Sequence, residues 1–155
     1  MENKDLYFMN IALDLAKKAG QCGEVPVGAV IVDKNGEIIS KAYNLRETQK
    51  NSVAHAEIVA IQEACKVKVG WRLSDCTLYV TLEPCPMCTG AIINSRIKRV
   101  VFGAYDMQAG CCGSVSNFNA YPFNHSFEIL GGVMEDECRE VLTEFFNKKR
   151  NRAID

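Results

Sequence analysis

No apolar run in this 155-residue sequence approaches the roughly 20 residues that a membrane-spanning helix needs, so no membrane span is expected. Charge of one sign is missing too. With 18 Lys and Arg against 19 Asp and Glu the formal net charge is -1, so affinity for a polyanion would need a local basic patch. The polar start Met1-Glu2-Asn3-Lys4-Asp5 is followed by no apolar stretch with a small-residue cleavage site, and a cytoplasmic protein is expected. Repeats, linkers and low-complexity segments are likewise absent, and the length suits one domain over residues 1–155. Cysteine, in contrast, is plentiful. The eight cysteines are scattered along a chain that is 48% hydrophobic, rich enough to build a core without disulfides. Most are expected to be buried free thiols of a reducing compartment, where the Asn124-His125-Ser126 sequon has no meaning.

The apolar spacing of Tyr7, Phe8, Ile11, Ala12, Leu15, Ala16 and Ala19 predicts a helix over Leu6 to Ala19, stopped by Gly20. Val27 to Val32 and Glu37 to Tyr43 read as a hairpin around Asp33-Lys34-Asn35-Gly36, with the Asn-Gly pair supplying positive φ. A polar loop over 44–54 leads to a second helix carrying His55 and Glu57 in its first turn. Cys76 to Leu82 reads as a buried strand, Pro84 and Pro86 as a tight turn, and Met87 to Ser95 as a third helix. Arg99 to Gly103 is the next strand, followed by a long loop over Ala104 to Asn119. Phe127 to Leu130 is a short strand, and Glu135 to Arg150 a closing helix with Val141, Leu142, Phe145 and Phe146 inside. Strands alternating with helices after a hairpin imply an α/β fold, a three-layer α/β/α sandwich around a five-stranded mixed sheet.

Chemistry concentrates in Val53-Ala54-His55-Ala56-Glu57 and Leu82-Glu83-Pro84-Cys85-Pro86-Met87-Cys88. One imidazole and two thiolates fill three of zinc's four tetrahedral positions and leave one open for chemistry. Both ligand sets open helices, so two positive dipole ends converge on the ion and favour thiolates. Glu57, two residues after His55, diverges from it around the helix, which points it at the substrate side as the acid/base. Cys85-x-x-Cys88 alone would also suit a redox dithiol, and Cys111 or Cys112 could close a structural zinc site as a fourth ligand. The cationic run Lys148-Lys149-Arg150-Asn151-Arg152 complements the dipole of a helix that begins Glu135-Asp136-Glu137, or forms a basic patch, or does both.

The H-x-E…P-C-x-x-C pattern resembles the zinc nucleobase deaminases. Further stretches resemble the bacterial tRNA-specific adenosine deaminases across nearly the whole chain: Gly23-Glu24-Val25-Pro26-Val27-Gly28-Ala29, Asn44, Trp71-Arg72-Leu73, Ser95-Arg96-Ile97, Arg99 to Ala104, Asp106, Gly113-Ser114, Asn124-His125 and Phe145-Phe146. This resemblance implies a cytidine-deaminase-like fold and hydrolysis of the wobble adenosine of a tRNA anticodon to inosine. It also implies a homodimer with one Zn2+ per subunit, bound by His55, Cys85 and Cys88 with Glu57 catalytic. Asn44, the backbone of Ala56, Pro26 and Val27 would then hold the flipped-out base, and Asp106, Phe146 and Arg150 the anticodon loop. A free guanine or cytosine deaminase shares the site motifs and is the alternative. A non-catalytic zinc or redox module is the third reading.

Overall fold

A computed structural model describes residues 2–154, with side chains through 152. The elements are α1 (Asn3–Gln21), β1 (Gly28–Val32), β2 (Ile38–Tyr43), α2 (Ala56–Lys68), β3 (Thr77–Leu82), α3 (Pro86–Ser95), β4 (Arg99–Ala104), β5 (Glu128–Leu130) and α4 (Glu135–Ile154), with a 3-10 turn at Phe118–Ala120. The five-stranded sheet has the order β2-β1-β3-β4-β5. β1 is antiparallel to β2 and β3, whereas β3, β4 and β5 run parallel, so the sheet is mixed.

Strand alternation divides the core in two. Ala29, Ile31, Leu78, Val80, Val100 and Phe102 face α2 and α3, while Val30, Val32, Tyr79 and Val101 face α1 and α4. Three layers result, as the sequence pattern predicts. Gly28 allows α1 to close on the sheet, since a Cβ there would lie 2.0 Å from the Ala12 carbonyl oxygen. The edge of that layer is tied by a buried ion pair. Asp5 accepts from Tyr79 Oη at 2.8 Å and from Arg99 Nη1 and Nη2 at 2.8 and 3.0 Å. The Arg99 hydrogen bonds hold its carboxyl at about 2, against the opposing effect of burial.

Four local expectations need correction. The first helix runs through Gly20 to Gln21, and Gly23, at φ 81°, is the glycine that turns the chain beyond it. In the hairpin only Gly36 has positive φ. Asp33 Oδ1 holds the Asn35 and Glu37 N–H groups there, and a register shift at Ile31/Val32 absorbs the extra residue. The predicted strand starts at Val27 and Cys76 move one residue on, to Gly28 and Thr77. On α4, Phe146 is 43% exposed rather than inside, and Cys138 is the helix residue that reaches the core. No helix among the described residues is long and apolar enough to cross a membrane.

Candidate active site

His55 and Cys85 occupy equivalent places at the N-caps of α2 and α3, with extended backbone (ψ 153° and 176°). His55 therefore precedes the first turn in which the sequence pattern puts it. Neither side chain caps its own helix, so both are free to point between the two helix starts. Cys88 follows in the first turn of α3, where Pro86 fits the helix start without wasting a donor. The site thus stands at the carboxyl end of β3, where parallel strands deliver their loops.

Cys85 Sγ and Cys88 Sγ lie 3.7 and 3.6 Å from His55 Nδ1. A tetrahedral zinc with Zn–N of about 2.1 Å and Zn–S of about 2.3 Å spaces such ligands about 3.6 Å apart. The residues fit the ion. The three ligand atoms are mutually within 4.8 Å, and no fourth His, Cys, Asp or Glu among the described residues joins the group. Cys111 and Cys112 are buried nearby as free thiols, outside that group, which disfavours a closed structural site. Glu57 is also outside it and only 4% exposed.

The electrostatics ask for a cation. A hydrogen bond with Cys88 chiefly, helped by His55 and opposed by burial, brings the Cys85 thiol down to about 4. The same bond and burial push Cys88 up, so one proton is shared where a metal would let both sulfurs ionise. The hydrogen bond to Cys85 raises His55. Burial chiefly, then the charge of Cys85, pushes the Glu57 carboxyl up to about 7, with its own backbone N–H and His55 opposing. A buried carboxyl beside a metal site is suited to carry protons both ways.

Around the triangle, the expected base-binding residues divide. Asn44 Oδ1 accepts the Ala56 N–H at 2.8 Å, capping α2 in place of His55, and Asn44 Nδ2 donates to the Val25 carbonyl at 2.9 Å. The Ala56 N–H is thereby engaged by Asn44, leaving the second Nδ2 proton for a ligand. Pro26 lines a groove with Asn44, whereas Val27 is packed into the α2/α3 side of the core. That groove, about 1000 Å³, runs between the end of α1, the 23–26 and 44–47 segments and one face of α4. It carries Lys17, Arg46, Lys148, Lys149 and Arg152. None of His55, Glu57, Cys85 and Cys88 lines it, so it approaches the site through Asn44 rather than containing it.

The three expected RNA contacts lie outside the lining of that groove. Asp106 Oδ1 accepts from the Gln108 and Ala109 N–H groups at 3.0 and 3.2 Å, capping its own loop. Phe146 and Arg150 stay outside the groove, Arg150 donating to Asn147 Oδ1 at 2.7 Å. Helical spacing presents Val141, Glu144, Phe145, Lys148, Lys149 and Arg152 to it.

Two buried carboxylates escape the sequence reading. Glu24, 1% exposed, accepts from the Glu47 N–H and from both the N–H and the hydroxyl of Thr48. Burial would raise its pKa, but these bonds carry it below the usual value. Glu83, 2% exposed, gathers donors from the loop after β4. Their one sequence signal is an acidic residue set among apolar neighbours just ahead of a proline.

Residues 2–104 match the family model of the cytidine and deoxycytidylate deaminase zinc-binding region, and fold and site together define a zinc-dependent deaminase. The chain is 52% identical over 150 residues to the tRNA-specific adenosine deaminase of Bacillus subtilis (strain 168), covering 96% of this chain and 92% of that one. A structure solved in a study of A-to-I editing by tRNA:A34 deaminases superposes with a TM-score of 0.85 at 40% identity, covering 88% of this chain and 99% of the other. The guanine deaminase of Bacillus subtilis superposes less closely, with a TM-score of 0.64 at 36% identity and 83% of each chain covered. The chain belongs to the tRNA-specific adenosine deaminase family, within the zinc-binding deaminases.

Proposed function

We propose that the chain hydrolyses the wobble adenosine (A34) of a tRNA anticodon to inosine, releasing ammonia. It acts in the cytoplasm as a homodimer with one zinc per subunit. The observation that carries the chemistry is the open His55/Cys85/Cys88 triangle at tetrahedral spacing with the buried Glu57 carboxyl beside it. A zinc ion held there supplies a Lewis acid that makes water a nucleophile at neutral pH. The Glu57 carboxylate takes a proton from the attacking water and delivers it to N1 of the purine, which makes C6 electrophilic. It then passes a proton to the departing amine, so adenosine and water become inosine and ammonia. Asn44 positions the flipped base through its remaining amide proton, and Pro26 supports an apolar wall.

RNA rather than a free base is supported by the cation-lined groove, which a nucleobase would not need, and by the B. subtilis relative. Exposed Val67, Tyr121 and Phe123 offer apolar surface for a second copy. Dimerisation is checked by light scattering, expecting about twice the 17.2 kDa chain mass.

The test incubates the zinc-loaded protein with a tRNA bearing A34 and, separately, with guanine, cytosine and adenosine, assaying inosine and ammonia. Inosine at position 34 is expected. Ammonia from free guanine or cytosine without inosine in the RNA would replace this reading with a free-base deaminase. No ammonia from any substrate would leave a zinc or redox module.

A further inference from the structure

Glu83 closes β3 two residues before Cys85, and every donor around its carboxylate comes from one loop. Oε1 accepts the Asp106 N–H at 3.0 Å and the Ser114 hydroxyl, and Oε2 accepts the Cys112 and Ser114 N–H groups at 3.0 and 3.1 Å. Gly110 lies so close that a Cβ would sit 2.3 Å from the Glu83 carboxyl carbon. The loop grips back one residue further on, where the Cys111 N–H donates to the Pro84 carbonyl at 2.9 Å. Thr89 Oγ1, from α3, reaches the same carbonyl at 3.3 Å.

We propose that Glu83 is a positioning residue for the metal site. By wrapping loop 106–114 around its carboxylate it brings Cys111 onto Pro84, and this holds the Cys85 sulfur in place against Cys88 and His55. Three backbone N–H groups and the Ser114 hydroxyl face Glu83, and an acceptor-only head group satisfies all four as donors. An amide would turn its NH2 towards at least one of these N–H groups and lose part of the grip. Groups that orient metal ligands without touching the ion typically change metal retention or activity by about 10–100-fold when replaced. The inference rests on the zinc reading of His55, Cys85 and Cys88, and its measurements do not depend on the RNA substrate.

The experiment uses the full-length, zinc-loaded protein and two variants, Glu83→Gln and Ser114→Ala. Hydrogen exchange at the Asp106, Cys112 and Ser114 amides and zinc release into an excess of chelator are measured at a temperature well below unfolding. In Glu83→Gln both are expected to accelerate, zinc release by about 10–100-fold, with an initial content of one zinc per chain. Ser114→Ala removes a single donor and is expected to move both in the same direction by less, which keeps a readout should Glu83→Gln not fold. Asp5→Asn weakens the fold from the opposite end of the sheet and is expected to leave zinc release unchanged. Faster loop exchange with wild-type zinc release would make Glu83 a loop-folding residue only and overturn the proposal, as would unchanged exchange. Normal zinc release kinetics in a wild-type protein inactive on RNA would refute the substrate reading while leaving this comparison intact.

Discussion

At the scale of single residues, Glu57 is where stability is given up for chemistry. Its carboxyl is buried and raised to about 7 in the absence of metal. In the unfolded chain it ionises near 4.5, so the folded metal-free protein is penalised as pH rises from that value through about 7. Glu57→Gln removes the penalty and the proton transfer together. In the zinc-loaded protein kcat is expected to fall by about 10²–10⁴-fold with zinc content unchanged by metal analysis. In the metal-free protein the variant is expected to be more stable than wild type at pH 8, by up to about 3 kcal/mol, and nearly equal at pH 5. Urea unfolding at the two pH values checks this. A variant with wild-type kcat would remove Glu57 from the reaction.

At the scale of elements, α2 ends in a conformation that its capping residue resists. Val69, 91% exposed, caps the helix at φ 52° and ψ 48°, the left-handed region that a β-branched side chain enters at a cost. Its N–H nevertheless bonds the Lys66 carbonyl, and the Gly70 N–H the Cys65 carbonyl, so the stop is real but carried one residue early. Val69→Gly is expected to stabilise the protein by about 0.5–1 kcal/mol, the relieved strain exceeding the added freedom of the unfolded chain, read as a rise in Tm. A lower Tm would mean that the valine side chain makes contacts outweighing the strain. The same contrast governs what could be read without coordinates. The helices were legible because their apolar residues recur at helical spacing, the strands because they are short apolar runs bounded by turns, and the metal triangle because His55 and Cys85-x-x-Cys88 are local patterns tied to helix starts. Caps and clamps were not, because their partners lie far along the chain. Glu83 meets Cys112 and Ser114 at separations of 29 and 31 residues, and Asp5 meets Arg99 across 94. Asp5 looks like an ordinary acidic residue in the first turn of a helix, and nothing nearby in sequence announces the arginine. On α4, periodicity alone did not show which face borders the groove, where Phe145, Lys149 and Arg152 lie.

At the scale of the molecule, a net charge of -1 conceals a separation of charge. Lys17, Arg46, Lys148, Lys149 and Arg152 line one groove. Of the three acids there, Glu24 is already occupied by the Thr48 and Glu47 donors, leaving Glu47 and Glu144 to oppose five cations. The groove begins at Asn44, whose side chain caps the helix bearing Glu57. A strand threaded along it would therefore arrive at the metal site with its phosphates neutralised before the base is turned in. The triple substitution of Lys148, Lys149 and Arg152 by alanine separates this steering from the chemistry. KM for anticodon stem-loop RNA is expected to rise at least tenfold with little change in kcat, since the reacting groups are untouched. The slope of log(kcat/KM) against log salt should become shallower by about 2, at roughly 0.7 per lost phosphate contact on a single strand. The dipole account of the same run predicts otherwise: if those cations serve only the end of α4, the variant loses a few tenths of a kcal/mol of stability and keeps both KM and the salt slope of the wild type.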